Sequence, residues 1–330
     1  MTRIPLSLAC WDYDRTRALM DGTIRPEGID LSYIPAMMPD SFFRMLKFGE
    51  FDASEMSLSW YARTLDHGER PFYAIPVFPS RMFRHSSIYV NSDSGIEKPS
   101  DLVGKRVGCP EYQMTAAVWI KGILADRHGV PVNSVTYFTG GLEQPGREEV
   151  PMSLPADIKV EPIGNDRTLS AMLQAGEIDA LYTAHMPSCF GPKASNVRRL
   201  FADYCEVEKD YFRDTGIFPI MHTVVIRREV LEGHPWVAQS LVKAFEESKQ
   251  IAMKDLFETT ALKVTLPWLT AAAEEAREIF GADDFWPYGL DRNRDAINTF
   301  LRYSFEQGLI TKSYEAEDLF VAGTLATAKI

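Results

Sequence analysis

One phrase occurs twice in this chain and limits what it can fold into. Met45-Leu46-Lys47-Phe48-Gly49-Glu50-Phe51-Asp52-Ala53 returns as Met172-Leu173-Gln174-Ala175-Gly176-Glu177-Ile178-Asp179-Ala180. In each copy a helical pattern stops at a glycine and a short apolar run follows. Glycine tolerates the left-handed backbone that closes a helix, so each copy reads as a helix-to-strand joint of an α/β unit. Two such joints far apart predict two lobes built on one plan. A small molecule held between two lobes is then the default functional expectation.

A second correspondence points the same way. Ile4–Cys10 reads as a buried strand, Trp11-Asp12-Tyr13-Asp14 as a loop, and Arg15–Met20 as a helix. Lys105–Cys109, Pro110-Glu111-Tyr112-Gln113 and Met114–Arg127 repeat that order. Both units set polar loop residues beside a helix N-terminus, where unpaired N–H groups and the helix dipole favour an anion.

The chain has 330 residues, enough for two domains. Its net charge of −11 argues against nucleic acid or an anionic membrane as partner. No apolar run approaches the roughly 20 residues of a membrane span. The start, Met1-Thr2-Arg3-Ile4, enters a strand at once with no signal-peptide pattern, so a cytoplasmic location is expected. The four cysteines, Cys10, Cys109, Cys189 and Cys205, show neither CxxC nor zinc spacing and predict reduced thiols, with Cys10 and Cys109 buried at matching strand ends.

Alternation predicts strands at Ile29–Ile34, Asp52–Met56, Tyr73–Phe78, Ser86–Val90, Val135–Phe138 and Lys159–Ile163. Asn91–Asp101 reads as a crossover, Gly140–Pro155 as a long loop, and Ile217–Ile226 as the strand that returns to the first lobe. Helices are expected over Pro235–Ala252, Leu266–Phe280 and Arg292–Gly308, with Trp236, Leu241 and Phe245 on a core-facing side. The lobes are thus read as 1–92 with 218–330, and 93–217.

No high-specificity catalytic motif is present: no P-loop, G-x-S-x-G, H-E-x-x-H or Rossmann glycine fingerprint. Of the histidines, His185 and His222 fall on strand positions where a cleft is expected, and imidazole exchanges protons near neutral pH. His67, His128 and His234 read as surface residues. An anionic ligand in so acidic a chain needs a local cationic pocket. Arg81-Met82-Phe83-Arg84-His85 is the densest cationic cluster, and Arg15 stands on the first loop-helix unit. A metal site would have to be assembled from His85, His185, His222, Glu111 and Asp12, but no ligand spacing selects one, and no cofactor is expected.

This layout resembles a type II periplasmic-binding-protein fold: an α/β architecture of two lobes with a ligand cleft between them and extra C-terminal helices. Particular segments are closer still to one enzyme group in that superfamily. They are Asp12-Tyr13-Asp14-Arg15-Thr16, Arg25-Pro26-Glu27-Gly28-Ile29, Phe78-Pro79-Ser80-Arg81 with Phe83-Arg84-His85-Ser86, and Gly104-Lys105-Arg106-Val107-Gly108. Pro110-Glu111-Tyr112-Gln113-Met114-Thr115-Ala116, Pro219-Ile220-Met221-His222-Thr223, Pro287-Tyr288-Gly289-Leu290 with Asn293, and Glu306-Gln307-Gly308-Leu309 complete the set. Together they resemble the 4,5-dihydroxyphthalate decarboxylases of bacterial phthalate degradation over nearly the whole chain.

The resemblance implies loss of one carboxylate from 4,5-dihydroxyphthalate, giving protocatechuate. Direct loss of CO2 would leave an unstable aryl anion. Each carboxylate is para to a phenol, so losing the phenol proton and protonating the carboxylate-bearing carbon gives a dienone that can expel CO2. Such a site needs a base, an acid for carbon and an anchor for the retained carboxylate. On this reading Arg81 and Arg15 are anchors, since arginine holds a carboxylate bidentately. Thr115 and the helix start beside it are further donors, and Asp12, Arg84, His85, Tyr112 and Met114 complete the substrate-binding set. His222 or His185 is the acid; Glu111 or the other histidine is the base. The expected partner is a small aromatic carboxylate, with homo-oligomerisation left open. The rival reading is a solute-binding protein for an aromatic carboxylate or a thiamine-precursor-like ligand, without chemistry.

Overall fold

Both copies of the repeated phrase close helices on left-handed glycines. Helix Asp40–Phe48 ends at Gly49, with φ of 56°, and Leu169–Gln174 is followed by Gly176, with φ of 72°. The aspartates of the phrase do the same work twice. Asp52 accepts the backbone N–H and the hydroxyl of Ser7 on the neighbouring strand, both at 2.9 Å. Asp179 accepts the backbone N–H of Arg106 at 2.8 Å. The recurrence is therefore a device that ties a strand entrance to its parallel neighbour.

These observations come from a computed structural model that describes residues 3–66, 70–147, 149–191 and 196–325. His67 lies outside the described residues. The chain forms two units: Met1–Arg81 with Thr215–Asn298 and Tyr314–Ile330, and Met82–Asp214 with Thr299–Ser313.

In the first unit, β1 (Ile4–Cys10), β2 (Ile29–Pro35), β3 (Ala53–Ser57), β4 (Phe72–Arg81) and the late β11 (Ile220–Arg227) form a sheet of order β2-β1-β3-β11-β4. β1 runs parallel to β2 and β3, whereas β11 is antiparallel to both β3 and β4. The β11 segment returns to this unit as the sequence predicts. Helix Val237–Asp255 packs on this unit through Leu241 and Phe245, both fully buried. Burying each such side chain contributes roughly 1.5–3 kcal/mol. Trp236 differs from expectation: it stands before the first turn, 43% exposed, with its ring against Gly28.

In the second unit, β5 (Ile88–Asn91), β6 (Arg106–Cys109), β7 (Thr136–Thr139), β8 (Lys159–Pro162), β9 (Ala180–Tyr182) and β10 (Val197–Arg199) form a sheet of order β10-β5-β9-β6-β7-β8. Its core includes Leu169, Leu173, Ile178 and Leu181. The unit boundaries differ from those read in the sequence for two physical reasons. β5 pairs with β9 and β10, so residues 82–92 belong to this sheet. Thr299–Ser313 also joins this unit: Trp119 packs its ring on Phe300 and Tyr303, and the Gln307 amide donates to the Val118 carbonyl at 2.9 Å. A β-carbon on Gly122 would sit 2.2 Å from the Tyr303 ring, which explains a glycine inside helix Thr115–His128. Among the described residues no helix is long and apolar enough to cross a membrane.

That helix also buries a lysine. The Lys121 ammonium donates to the Tyr112 carbonyl at 2.7 Å and lies 3.1 Å from the Tyr112 ring centroid. Burial lowers its pKa from 10.5 to about 7. Below that value folded and unfolded chains both carry the proton, and the full cost of a buried charge is present. As pH rises toward 10.5, the unfolded chain keeps a proton that the folded one has lost, so stability increases. Lys121→Met should therefore stabilise the protein by on the order of 1–4 kcal/mol in mild acid, with a gain that shrinks as pH rises. Urea unfolding at about pH 6 and about pH 9 checks this; equal gains would contradict it.

Candidate active site

β3 is the middle strand of the first sheet and all five of its residues are buried, including Glu55. In the antiparallel register Val224 lies opposite Glu55 and His222 opposite Ser57. Glu55 and His222 are therefore diagonal neighbours on one face, within reach of long side chains. The Glu55 carboxylate is 2.6 Å from His222 Nδ1. It also accepts the Tyr13 hydroxyl at 2.7 Å, the Trp11 backbone N–H at 3.0 Å and the Cys10 thiol at 3.5 Å.

Burial alone would push the Glu55 pKa up. The bonds from His222, Tyr13 and the Trp11 N–H outweigh it and hold the group below the usual carboxylate value. A carboxylate only accepts hydrogen bonds, so His222 Nδ1 carries a proton and donates it. Nε2 is the other nitrogen, and no hydrogen bond to it forms among the described residues. The side chain keeps 15% exposure, and the Phe42 ring meets the imidazole edge-on at 5.0 Å. Burial and the neighbouring Glu55 push the Tyr13 phenol and the Cys10 thiol well up, so both keep their protons.

Tyr13 links this pair to an arginine. The Arg15 guanidinium lies 4.1 Å from the Tyr13 ring centroid and 4.2 Å from that of Trp286. Its Nε donates to the Pro79 carbonyl at 2.6 Å and Nη1 to Asp14 at 3.0 Å. Nη2 has no hydrogen-bond partner among the described residues, and the side chain is 16% exposed. A planar cation lying over two aromatic rings, with one terminal nitrogen free of a hydrogen bond among the described residues, has the chemistry to donate to a carboxylate. The loop beneath it is fixed by Tyr33, whose hydroxyl donates to the Trp11 carbonyl at 2.7 Å.

Arg81 is placed differently from expectation. Its guanidinium donates to the carbonyls of Phe218 and Pro287, at 3.1 and 2.7 Å, and to Asn293 Oδ1. It ties two backbone carbonyls and the Asn293 side chain together within the first unit and is 6% exposed. Arg81→Ala should cost at least about 2 kcal/mol of stability, because buried carbonyls lose their donor. A thermal melt indistinguishable from the parent would contradict the clamp. Asp12 is exposed and pairs with Arg17 at 2.8 Å rather than facing the cluster.

The remaining expected residues lie in the second unit. Arg84 and His85 are buried. His85 packs between Phe201 and Tyr211, and burial lowers its pKa to about 4, so it is neutral packing rather than a cationic contact. Glu111 pairs with Arg147. Tyr112 is fully buried, its hydroxyl on the Gln307 carbonyl at 3.1 Å, which withdraws it from any ligand. Met114 is the N-cap of the Thr115–His128 helix without a side-chain cap bond, and Thr115 opens it. His185 is exposed and, with Glu143, Arg147 and Met186, lines a hollow of about 480 Å³. Among the described residues no group of three or more His, Cys, Asp or Glu side chains is arranged to hold a metal ion.

Sequence reasoning missed Glu55, Tyr13 and Trp286. The available signal was Glu55 itself: a carboxylate between Ser54 and Met56 on a predicted strand is costly to bury unless it is paired.

No family model matches the chain. Among solved structures, the periplasmic aliphatic sulphonate binding protein SsuA from Escherichia coli aligns with a TM-score of 0.56 at 12% identity, covering 100% of this chain and 96% of that one. The ligand-binding component of an ABC-type import system from Staphylococcus aureus gives 0.55 at 14% identity, over 98% of each chain. These likenesses establish the two-lobed periplasmic-binding-protein-like fold. Among curated proteins, 4,5-dihydroxyphthalate decarboxylase of Pseudomonas putida is 42% identical over 214 residues, 64% of this chain and 83% of its own length. The enzyme of that name from Comamonas testosteroni is 39% identical over 331 residues, spanning 100% of both chains. At that identity over its full length, the chain belongs to the 4,5-dihydroxyphthalate decarboxylase family.

Proposed function

We propose that this protein is a carboxy-lyase that converts 4,5-dihydroxyphthalate to protocatechuate and CO2, with His222 delivering the proton to the ring. The observation that carries this reading is the His222–Glu55 pair standing beside Arg15, a proton donor and a carboxylate anchor joined through Tyr13.

The chemistry follows from the substrate. Arg15 holds the carboxylate that stays. The phenol para to the other carboxylate gives up its proton to solvent, and the electron pair moves into the ring as the oxygen becomes a carbonyl. The carbon bearing the departing carboxylate takes a proton from His222 Nε2, forming the new C–H bond. The C–C bond to the carboxylate then breaks, CO2 leaves, and its electron pair restores the aromatic ring as a phenolate that regains a proton. One proton is consumed per turnover, and solvent returns it to His222. Arg15 should not hold the departing group, because that would stabilise the ground state.

A receptor needs no proton donor beside its carboxylate anchor, whereas ring protonation does. The separating experiment is incubation with 4,5-dihydroxyphthalate, following protocatechuate and CO2. Binding without product would favour the receptor. The reading includes a reducing, cytoplasmic setting, supported by four unpaired cysteines of which Cys10, Cys109 and Cys189 are buried.

A further inference from the structure

We propose that Glu55 is the positioning residue of the ring-protonation step, holding both the proton donor and the platform of the anchor. The inference rests on the decarboxylase reading above and adds a residue to it.

Three observations carry it. First, Glu55 is fully buried on the central strand and has no cationic partner other than His222 among the described residues. A lone buried carboxylate is destabilising, and a well-packed apolar residue would serve the sheet better. Second, its acceptor positions are filled by groups of the site: His222 Nδ1 and Tyr13 on Oε1, and the Trp11 N–H with the Cys10 thiol on Oε2. These groups come from the end of β1, the loop after it, and β11. Third, the Tyr13 ring that Glu55 fixes is one of the two faces against which Arg15 lies. One carboxylate therefore sets the tautomer and aim of the imidazole and the orientation of the ring beneath the guanidinium. In such pairs the acid itself stays ionised; it orients the ring and stabilises the imidazolium.

Glu55→Gln keeps the shape but presents an amide to a set of donors, so at least one contact is lost and the charge is gone. It should lower kcat by about 10²–10⁴-fold with KM for 4,5-dihydroxyphthalate within roughly threefold. Glu55→Asp keeps the charge with a shorter reach and should recover part of the rate. Tyr13→Phe, which leaves the imidazole contact in place, should cost less than about tenfold. A readout that needs no Glu55 variant is nitrogen-15 NMR of the histidine rings in the parent protein, with His222 assigned by its loss in His222→Asn. The neutral ring should carry its proton on Nδ1, with a strongly downfield N–H signal.

An Nε2–H tautomer in the parent would overturn the proposal. So would wild-type turnover in Glu55→Gln while His222→Asn is inactive. If His222→Asn itself turns over normally, the decarboxylation reading of His222 fails instead, and the tautomer measurement still reports on the pair.

Discussion

His222→Asn lowers kcat by roughly 10²–10⁴-fold, the range expected when a general acid is removed. KM for 4,5-dihydroxyphthalate stays nearly unchanged. The reason lies in when the proton moves. An acid that protonates carbon does its work only in the transition state, so its loss removes transition-state stabilisation and little ground-state binding. Asparagine keeps a polar group near Glu55 but has no nitrogen that exchanges a proton near neutral pH. Steady-state kinetics beside calorimetric affinity measures both halves of the expectation. Parent-like kcat would remove His222 from the mechanism.

Arg15→Ala weakens binding of dianionic aromatic dicarboxylates by roughly 2–5 kcal/mol, the cost of losing a charged contact from a partly desolvated site. Monoanionic analogues that lack the retained carboxylate should lose far less. Arg15→Lys should restore only part of the affinity, because an ammonium keeps the charge but loses the planar fork and the stacking on Tyr13 and Trp286. Calorimetry across the ligand pair checks this. Equal losses for both ligand classes would show that Arg15 orders its loop without holding the carboxylate.

Much of the architecture was legible because it rests on local rules. The glycine stops in the repeated phrase, the alternation in β2 and the spacing of Leu241 and Phe245 each have a short-range cause, and the elements stand where those causes put them. What stayed hidden depends on pairing across the chain. Residues 82–92 read as part of the first lobe until β5 is seen hydrogen-bonded to β9 and β10. Thr299–Ser313 could not be assigned from its own periodicity, since its place is set by Trp119 and Val118.

The site shows the same divide. His222 and Arg15 stood out because a histidine in an apolar strand and an arginine beside a strand end are unusual in an acidic chain. Arg81 stood out for similar reasons, yet its partners are carbonyls at Phe218 and Pro287, far along the sequence. Glu55 drew no notice because its meaning comes from the register that sets Val224 opposite it and His222 two residues away on the same face.

The most direct test of the account is turnover of 4,5-dihydroxyphthalate in heavy water with the position of the label read by NMR. Protonation at the carbon that loses CO2 predicts protocatechuate carrying one deuterium at the ring position adjacent to the retained carboxylate, formed by the parent protein and almost not at all by His222→Asn. Tight binding without product, or equal product from both proteins, would contradict it.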